Sequence, residues 1–227
     1  MARQVSGAPL ADLNFAPQCS DIRVLRVSEP LSNTGLDNLA IFEDLRVLDV
    51  TLAGNYAYKV ALRLGSALVR LSLNGGQQFY IEDLASCLRL QSLALHYCNV
   101  TDIASVPLPK ATHAIQFHNC NVGTSMRRPT AMDLSSAKSL EIVGGALDNL
   151  AFLSRFPTLR KFVLRDVNVS HDINGISSIP DNCEVTIEGL PTEIDDEPIE
   201  RLREEQRCFI NYEQRLTWEY QADSGGS

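Results

Sequence analysis

A short apolar triplet, spaced L-x-x-L-x-L, recurs along most of the chain and constrains the fold more tightly than any other feature. It reads Ile22/Leu25/Val27, Leu45/Leu48/Val50, Leu68/Leu71/Leu73, Leu90/Leu93/Leu95 and Thr112/Ile115/Phe117. Ala137/Leu140/Ile142, Leu159/Phe162/Leu164 and Asn182/Val185/Ile187 complete the series. The middle residues lie 23, 23, 22, 22, 25, 22 and 23 positions apart. A period held through eight copies means one small structural unit written repeatedly. Local echoes keep the same register: Cys98-Asn99-Val100 returns as Cys120-Asn121-Val122, and Leu36-Asp37-Asn38-Leu39-Ala40 as Leu147-Asp148-Asn149-Leu150-Ala151.

The alternation inside each triplet is that of a strand with one buried face, so the two L-x-L side chains turn inward and the residues between them turn outward. A single unit of this size cannot bury its apolar face. Stacked neighbours can, and they generate a ribbon whose strands form one parallel sheet.

Repeat four, Leu90-Gln91-Ser92-Leu93-Ala94-Leu95-His96-Tyr97-Cys98-Asn99-Val100, follows the pattern L-x-x-L-x-L-x-x-N/C-x-L except for Val at the last apolar position. With these residues the chain resembles the leucine-rich-repeat family. Its short units, with Ile103 and Val106 following, look most like the 22-residue class typified by the nuclear regulatory subunit of protein phosphatase 1. The resemblance covers roughly residues 20–190. It implies an α/β solenoid of about eight repeats with a parallel concave sheet, and a partner-binding role. It names no ligand, because the family shares architecture rather than a partner.

Eight strand-like units also suggest a closed (β/α)₈ barrel, and with it an enzyme. Such barrels need about 250 residues and a full helix after each strand. Units of 22–25 residues, one with Pro107 and Pro109 in its connection, are too short. The spacings Leu36/Leu39/Phe42 and Leu147/Leu150/Leu153/Phe156 instead fit a short helix or 3₁₀ turn packed back on the sheet.

The ends depart from the period. Residues 1–20 read as an N-terminal cap or arm and 21–190 as the repeat domain. Asp195-Asp196-Glu197-Pro198 is a helix-start signal, with acids at the positive end of the dipole and Pro in the first turn. Ile199, Leu202, Phe209, Tyr212 and Leu216 follow at mostly helical intervals, which predicts a C-terminal helical cap over 191–222, continuous or broken near Arg207. Trp218 is the one residue there that suggests a partner contact, and residues 223–227 read as a flexible tail.

Charge follows the same division: residues 1–190 hold 18 acids and 16 bases, residues 191–227 hold 10 acids and 4 bases. A nearly neutral body with an acidic end offers no clustered basic face, so nucleic acid is not an expected partner. No apolar run of 18 residues and no secretory leader pattern at Met1–Ser6 are visible. The expectation is an intracellular chain, cytoplasmic in the first place with the nucleus open, and no membrane contact. Cys19, Cys87, Cys98, Cys120, Cys183 and Cys208 form no C-x-x-C pair and are expected to be reduced, with Cys98 and Cys120 pointing inward.

The register projects three rows of outward side chains. The central row is Arg26, Asp49, Ser72, Ala94, Gln116, Glu141, Val163 and Thr186. On one side run Ser28, Thr51, Asn74, His96, His118, Val143, Arg165 and Glu188; on the other, Val24, Val47, Arg70, Ser92, Ala114, Ser139, Lys161 and Glu184. Arg26, Asp49, Ser72, Asn74, His96, Gln116, His118, Glu141 and Arg165 are therefore the candidate partner-binding residues. His96 and His118, one unit apart, should sit side by side at about the 4.8 Å strand spacing. Two imidazoles alone do not make a zinc site, and no third ligand converges on them.

No catalytic motif, metal set, cofactor loop or small-molecule site stands out, so the expected role is a non-enzymatic scaffold or adaptor binding another protein through the concave face. The alternatives are a structural subunit of a larger assembly, or a regulatory subunit of an enzyme such as a phosphatase. Gly75-Gly76 and Gly144-Gly145 read as strand-end turns, and the sequons at Asn99 and Asn168 as turn residues after strands. The long unit between repeats five and six contains Gly123–Thr130, a looped-out insertion in which Arg127-Arg128 ahead of Thr130 resembles a basophilic kinase site.

Overall fold

The computed structural model describes residues 21–31, 42–52, 57–58, 66–75, 78–79, 84, 87–100, 109–123, 136–191, 193–205 and 207–214. The expected arm at 1–20, the insertion at 124–130 with its kinase-like site, Leu36, Leu39, Leu216, Trp218 and the tail 223–227 lie outside them.

The strands are, in chain order, β1 (Val24–Leu31), β2 (Val47–Leu52), β3 (Ala57–Tyr58), β4 (Arg70–Asn74), β5 (Gln78–Phe79), β6 (Ser92–His96) and β7 (Asn99–Val100). Then come β8 (Ala114–Val122), β9 (Ser139–Leu147), β10 (Lys161–Arg165), β11 (Asn168–Val169), β12 (Glu184–Leu190) and β13 (Phe209–Gln214). One sheet runs β1-β2-β4-β6-β8-β9-β10-β12-β13, with β7 beside β8 and β11 beside β9, while β3 and β5 pair separately. Every pairing is parallel. The order is linear, so β1 and β13 are the two ends and the sheet does not close into a barrel.

Register follows the triplets. Leu25 pairs with Leu48, Leu48 with Leu71, Leu71 with Leu93, Leu93 with Ile115, Ile115 with Leu140, Leu140 with Phe162 and Phe162 with Val185. A parallel strand must be reached by a connection that returns the chain to its starting edge. The interval of 22 to 25 residues is the length that return takes here. All eight middle residues are buried, and with their L-x-L partners they form one continuous core.

The first triplet position holds two departures. Thr112 is buried, and its hydroxyl donates to the Leu90 carbonyl at 3.0 Å, which removes the cost of placing it among leucines. Asn182, at the first triplet position, is exposed, and Cys183 occupies the core there. Asn182 adopts φ 62°, which turns its side chain out, while its backbone N–H donates to the Arg207 carbonyl at 2.6 Å. An inward carboxamide would need buried partners, and a thiol needs almost none.

Four residues past six of the eight middle positions, from Leu71 onward, the chain bends in the left-handed conformation. Gly75, Tyr97, Asn119, Gly144, Asp166 and Gly189 have φ of 87°, 56°, 51°, 66°, 52° and 69°. Glycine adopts this backbone freely, and Asn and Asp are tolerated there. The bend points the next residue inward again, which buries Cys98, Cys120, Val167 and Leu190. Gly144 and Gly145 therefore do not end a strand; they lie within β9, where Cys120 pairs with Gly145. Likewise Asn99 and Asn168 are not turn residues. Each begins a two-residue strand, β7 and β11.

Before the strands, backbone turns recur in which Leu45, Leu90, Thr112 and Leu159 donate to the carbonyl three residues earlier. The connections 151–155 and 174–178 are 3₁₀ turns that bury Phe152, Leu153 and Ile176. Each is opened by a side chain: Asn149 Oδ1 accepts from the Ala151 N–H and Asp172 Oδ1 from the Asn174 N–H, both at 2.9 Å.

The C-terminal segment corrects the expectation of a helix over 191–222. An α-helix, α1, spans only Glu197–Glu204, with Asp195 Oδ1 accepting the Glu197 N–H and Ile199 and Leu202 buried. The chain then forms β13, parallel to β12, with Val185 opposite Ile210 and Ile187 opposite Tyr212. Phe209 and Tyr212, placed on a helix by their spacing, belong to this strand. Period-two alternation against an existing strand edge wins over a helix that would leave the β12 edge unpaired.

Candidate partner-binding face

The outward residues of the nine long strands form three rows with the projected neighbours. Centrally, Arg26, Asp49, Ser72, Ala94, Gln116, Glu141, Val163 and Thr186 pair in succession, and β13 adds Asn211. The flanking row brings Thr51, Asn74, His96, His118, Val143, Arg165 and Glu188 together, and β13 adds Glu213. Strand pairing thus places Ser72, Asn74, His96, Gln116, His118 and Glu141 on the adjoining strands β4, β6, β8 and β9. Asp49 lies one strand from Ser72. Arg165 on β10 lies one strand beyond Glu141, whose charge acts on it, whereas Arg26 on β1 lies two strands from Ser72 and outside the group.

Ala94 and Val163 are buried although they face outward, so the middle of the face is low and flanked by longer side chains. The polar groups are held by one another. Gln116 Nε2 donates to Glu141 Oε2 at 2.8 Å, and Arg165 Nε donates to Glu188 Oε2 at 2.5 Å. That ion pair holds the Arg165 guanidinium more firmly charged. The rings of His96 and His118 are stacked, with centroids 4.8 Å apart and planes 20° from parallel. Burial pushes His96 below the ordinary imidazole value, as does the charge His118 can carry, while Asp49 opposes both.

Parallel rings aim their nitrogen lone pairs in parallel planes, so they do not converge on a common point. Among the described residues there is no group of three or more His, Cys, Asp or Glu that could hold a metal ion. Beneath the face Cys98 and Cys120 are buried, and Cys98 and Cys120 donate to the carbonyls of His96 and Leu95 at 2.9 and 3.3 Å. The Cys98 thiol is pushed up by its hydrogen bond with Cys120 and by burial. Among the described residues, Cys87, Cys98, Cys120, Cys183 and Cys208 form no disulfide; Cys19 lies outside them.

No family model matches the chain, and no curated protein matches it. The site is therefore described by its own geometry. Among the described residues no helix is long and apolar enough to cross a membrane.

Sequence reasoning missed the ninth strand and so missed Phe209, Asn211 and Glu213 on this face, all three exposed. Arg207, a charged residue, stands at the position where six of the eight other triplets begin with an apolar one. A signal was present nonetheless: Cys208-x-Ile210-x-Tyr212 repeats Cys183-x-Val185-x-Ile187 after 25 residues. Tyr97 was also missed. It is 63% exposed and sits beside His96 at a left-handed bend that aromatic residues seldom occupy.

Proposed function

We propose that the chain is a leucine-rich-repeat solenoid whose open sheet face, concave in such a ribbon, serves as a non-enzymatic docking surface for another protein. The observation that carries this reading is the register. Nine parallel strands set variable, mostly polar side chains in three rows on one surface, the row of Asn74 and His96 starting at β2 because the β1–β2 register shifts after Val27, above a core of leucines spaced by the same period. Binding energy at such a surface concentrates in a few central residues surrounded by near-neutral contacts. Ser72, Asn74, His96, Gln116, His118 and Glu141 form that centre here. On this reading α1 and β13 close the C-terminal end of the core, in the manner of the terminal units that solenoids require. One observation favours the second reading, a subunit of a larger assembly. Phe209 is 73% exposed on the last strand of the sheet, where a neighbouring chain could cover it.

The test is affinity capture with identification of the bound proteins by mass spectrometry. A variant with His96, Gln116 and His118 all replaced by alanine is compared with one altered at Glu43 and Asp148, exposed residues of the connections. Both should fold, since surface changes cost little. The face variant should lose a partner that the connection variant keeps. Retention by the face variant, with loss by the connection variant, would place the interface on the other side.

A further inference from the structure

Counted along the body of the chain, acids and bases nearly balance; placed on the fold, they separate. At the border where the strands begin, equivalent residues stack through the backbone. Gln91, His113, Lys138 and Arg160 each donate their N–H to the carbonyl one unit earlier, on Val69, Gln91, His113 and Lys138, at 2.8 to 2.9 Å. In these five units the approaches to the strands are residues 66–70, 87–92, 109–114, 136–139 and 157–161. They hold Arg70, Arg89, Lys110, Lys138, Arg160 and Lys161, and no Asp or Glu. All six are exposed, as is His113, and among the described residues none of the six is ion-paired. Where the same strands end, the described residues of the opposite border carry Asp148, Asp166 and Asp172 against one base, Arg165, which Glu188 holds.

The basic ridge is short. Arg23 and Arg46 continue it toward β1, but Asp21, Glu43 and Asp44 stand among them, and Asp181 and Glu184 close the other end at β12. From β4 to β10 the sheet takes four steps, about 19 Å at the usual strand spacing. A row of one sign attracts the opposite sign, and the long stems of Lys and Arg let their charged heads follow a ligand whose own charges are spaced differently. Acids at both ends oppose a polyanion that runs on past the ridge, as a nucleic-acid duplex does. Single strands are held largely by bases stacked on aromatic rings, and no Phe, Tyr or Trp stands in these five approaches. An extended peptide of about six residues, at about 3.3 Å each, has the length of the ridge, and its carboxylates suit the guanidinium forks of Arg70, Arg89 and Arg160.

We propose that the strand-start border of β4, β6, β8, β9 and β10 binds a short acidic segment of a partner protein, laid in extended form along Arg70, Arg89, Lys110, Lys138, Arg160 and Lys161. The ridge adjoins the open face at Arg70 and Lys161 and works whether or not that face is occupied.

The full chain is titrated with rhodamine-labelled hexaglutamate and followed by fluorescence anisotropy, beside hexaserine, a single-stranded hexathymidylate, a DNA duplex and vesicles containing phosphatidylserine. Hexaglutamate should bind and hexaserine should not, and the affinity should fall as salt is raised from about 0.05 M to about 0.5 M, where screening is several times shorter in range. Changing Lys110→Gln, Lys138→Gln and Arg160→Gln together should weaken hexaglutamate by about tenfold or more, since three charge contacts are lost. Circular dichroism establishes that this variant is folded. In the unaltered chain, ¹⁵N amide shifts caused by the peptide should gather at residues 89–92, 110–114, 138–139 and 160–161, and this readout decides alone if the variant does not fold. No hexaglutamate binding at low salt, binding that the folded triple variant keeps, shifts gathered elsewhere, or tighter binding of nucleic acid or vesicles than of the peptide would each overturn the proposal. Partner capture with the face variant tests the open face separately, so either idea can fail without the other.

Discussion

Replacing Gly145 with alanine should destabilise the sheet far more than the same change at its neighbour Gly144. Both glycines have left-handed backbone, φ 79° and 66°, which costs an alanine about 1–2 kcal/mol. What a new Cβ would meet differs. At Gly144 it runs into the side-chain amide of Asn119, which is exposed and free to rotate away. At Gly145 it overlaps the Cys120 carbonyl oxygen and lies 2.7 Å from the Cys120 nitrogen and 2.8 Å from its carbonyl carbon. That backbone is fixed by the pairing of β8 with β9, so the two strands must separate. Overpacking of this kind adds about 1–3 kcal/mol. The totals are about 1–2 kcal/mol at Gly144 and about 2–5 kcal/mol at Gly145. At about 2–4 °C per kcal/mol for a chain of this size, Gly145→Ala should melt roughly 4–20 °C below the parent. Thermal melts and urea titrations followed by far-ultraviolet circular dichroism measure the difference. Gly144→Asn provides the control, because Asn119 already holds the equivalent bend one strand away. If Gly145→Ala is at least as stable as Gly144→Ala, the close approach of β8 and β9 is wrong.

Leu93 is fully buried between Leu71 and Ile115 on the neighbouring strands, so Leu93→Ala should cost about 2–5 kcal/mol through lost contacts and a cavity; an unchanged melt would contradict the register. Arg207 Nε donates to Asp181 Oδ1 at 2.7 Å and its Nη2 to the Ile179 carbonyl at 3.1 Å, joining the approach to β13 to the turn ahead of β12. Arg207→Ala should therefore cost about 1 kcal/mol and speed amide exchange in β13 before any other strand, and exchange rising uniformly across the sheet would argue against a local clasp. His96 is held below its unfolded value, so the unfolded chain binds more protons as pH falls through about 6.5. The stabilising contribution is complete above that pH and is lost on acidification, and His118→Asn should flatten the dependence in urea titrations at several pH values.

The period of the triplets was enough, without coordinates, to set strand positions, parallel pairing and the three rows of the open face. The reason is geometric: alternation fixes which side chains go inward, and a constant interval between identical patterns can be satisfied only if equivalent residues align on neighbouring strands. The pairing of His96 with His118 was legible on those grounds, and so was the inward position of Cys98 and Cys120. Three things were settled only by tertiary contact. Asn182 and Cys183 exchange places because burial penalises an unpartnered carboxamide and hardly affects a thiol, a comparison that exists only once a core is present. The left-handed bends at Tyr97, Asn119 and Asp166 are imposed by the need to turn the following residue back into that core. Phe209–Gln214 has apolar spacing that suits a helix about as well as a strand, and the choice falls to the open edge of β12, whose unpaired backbone groups no isolated segment can sense.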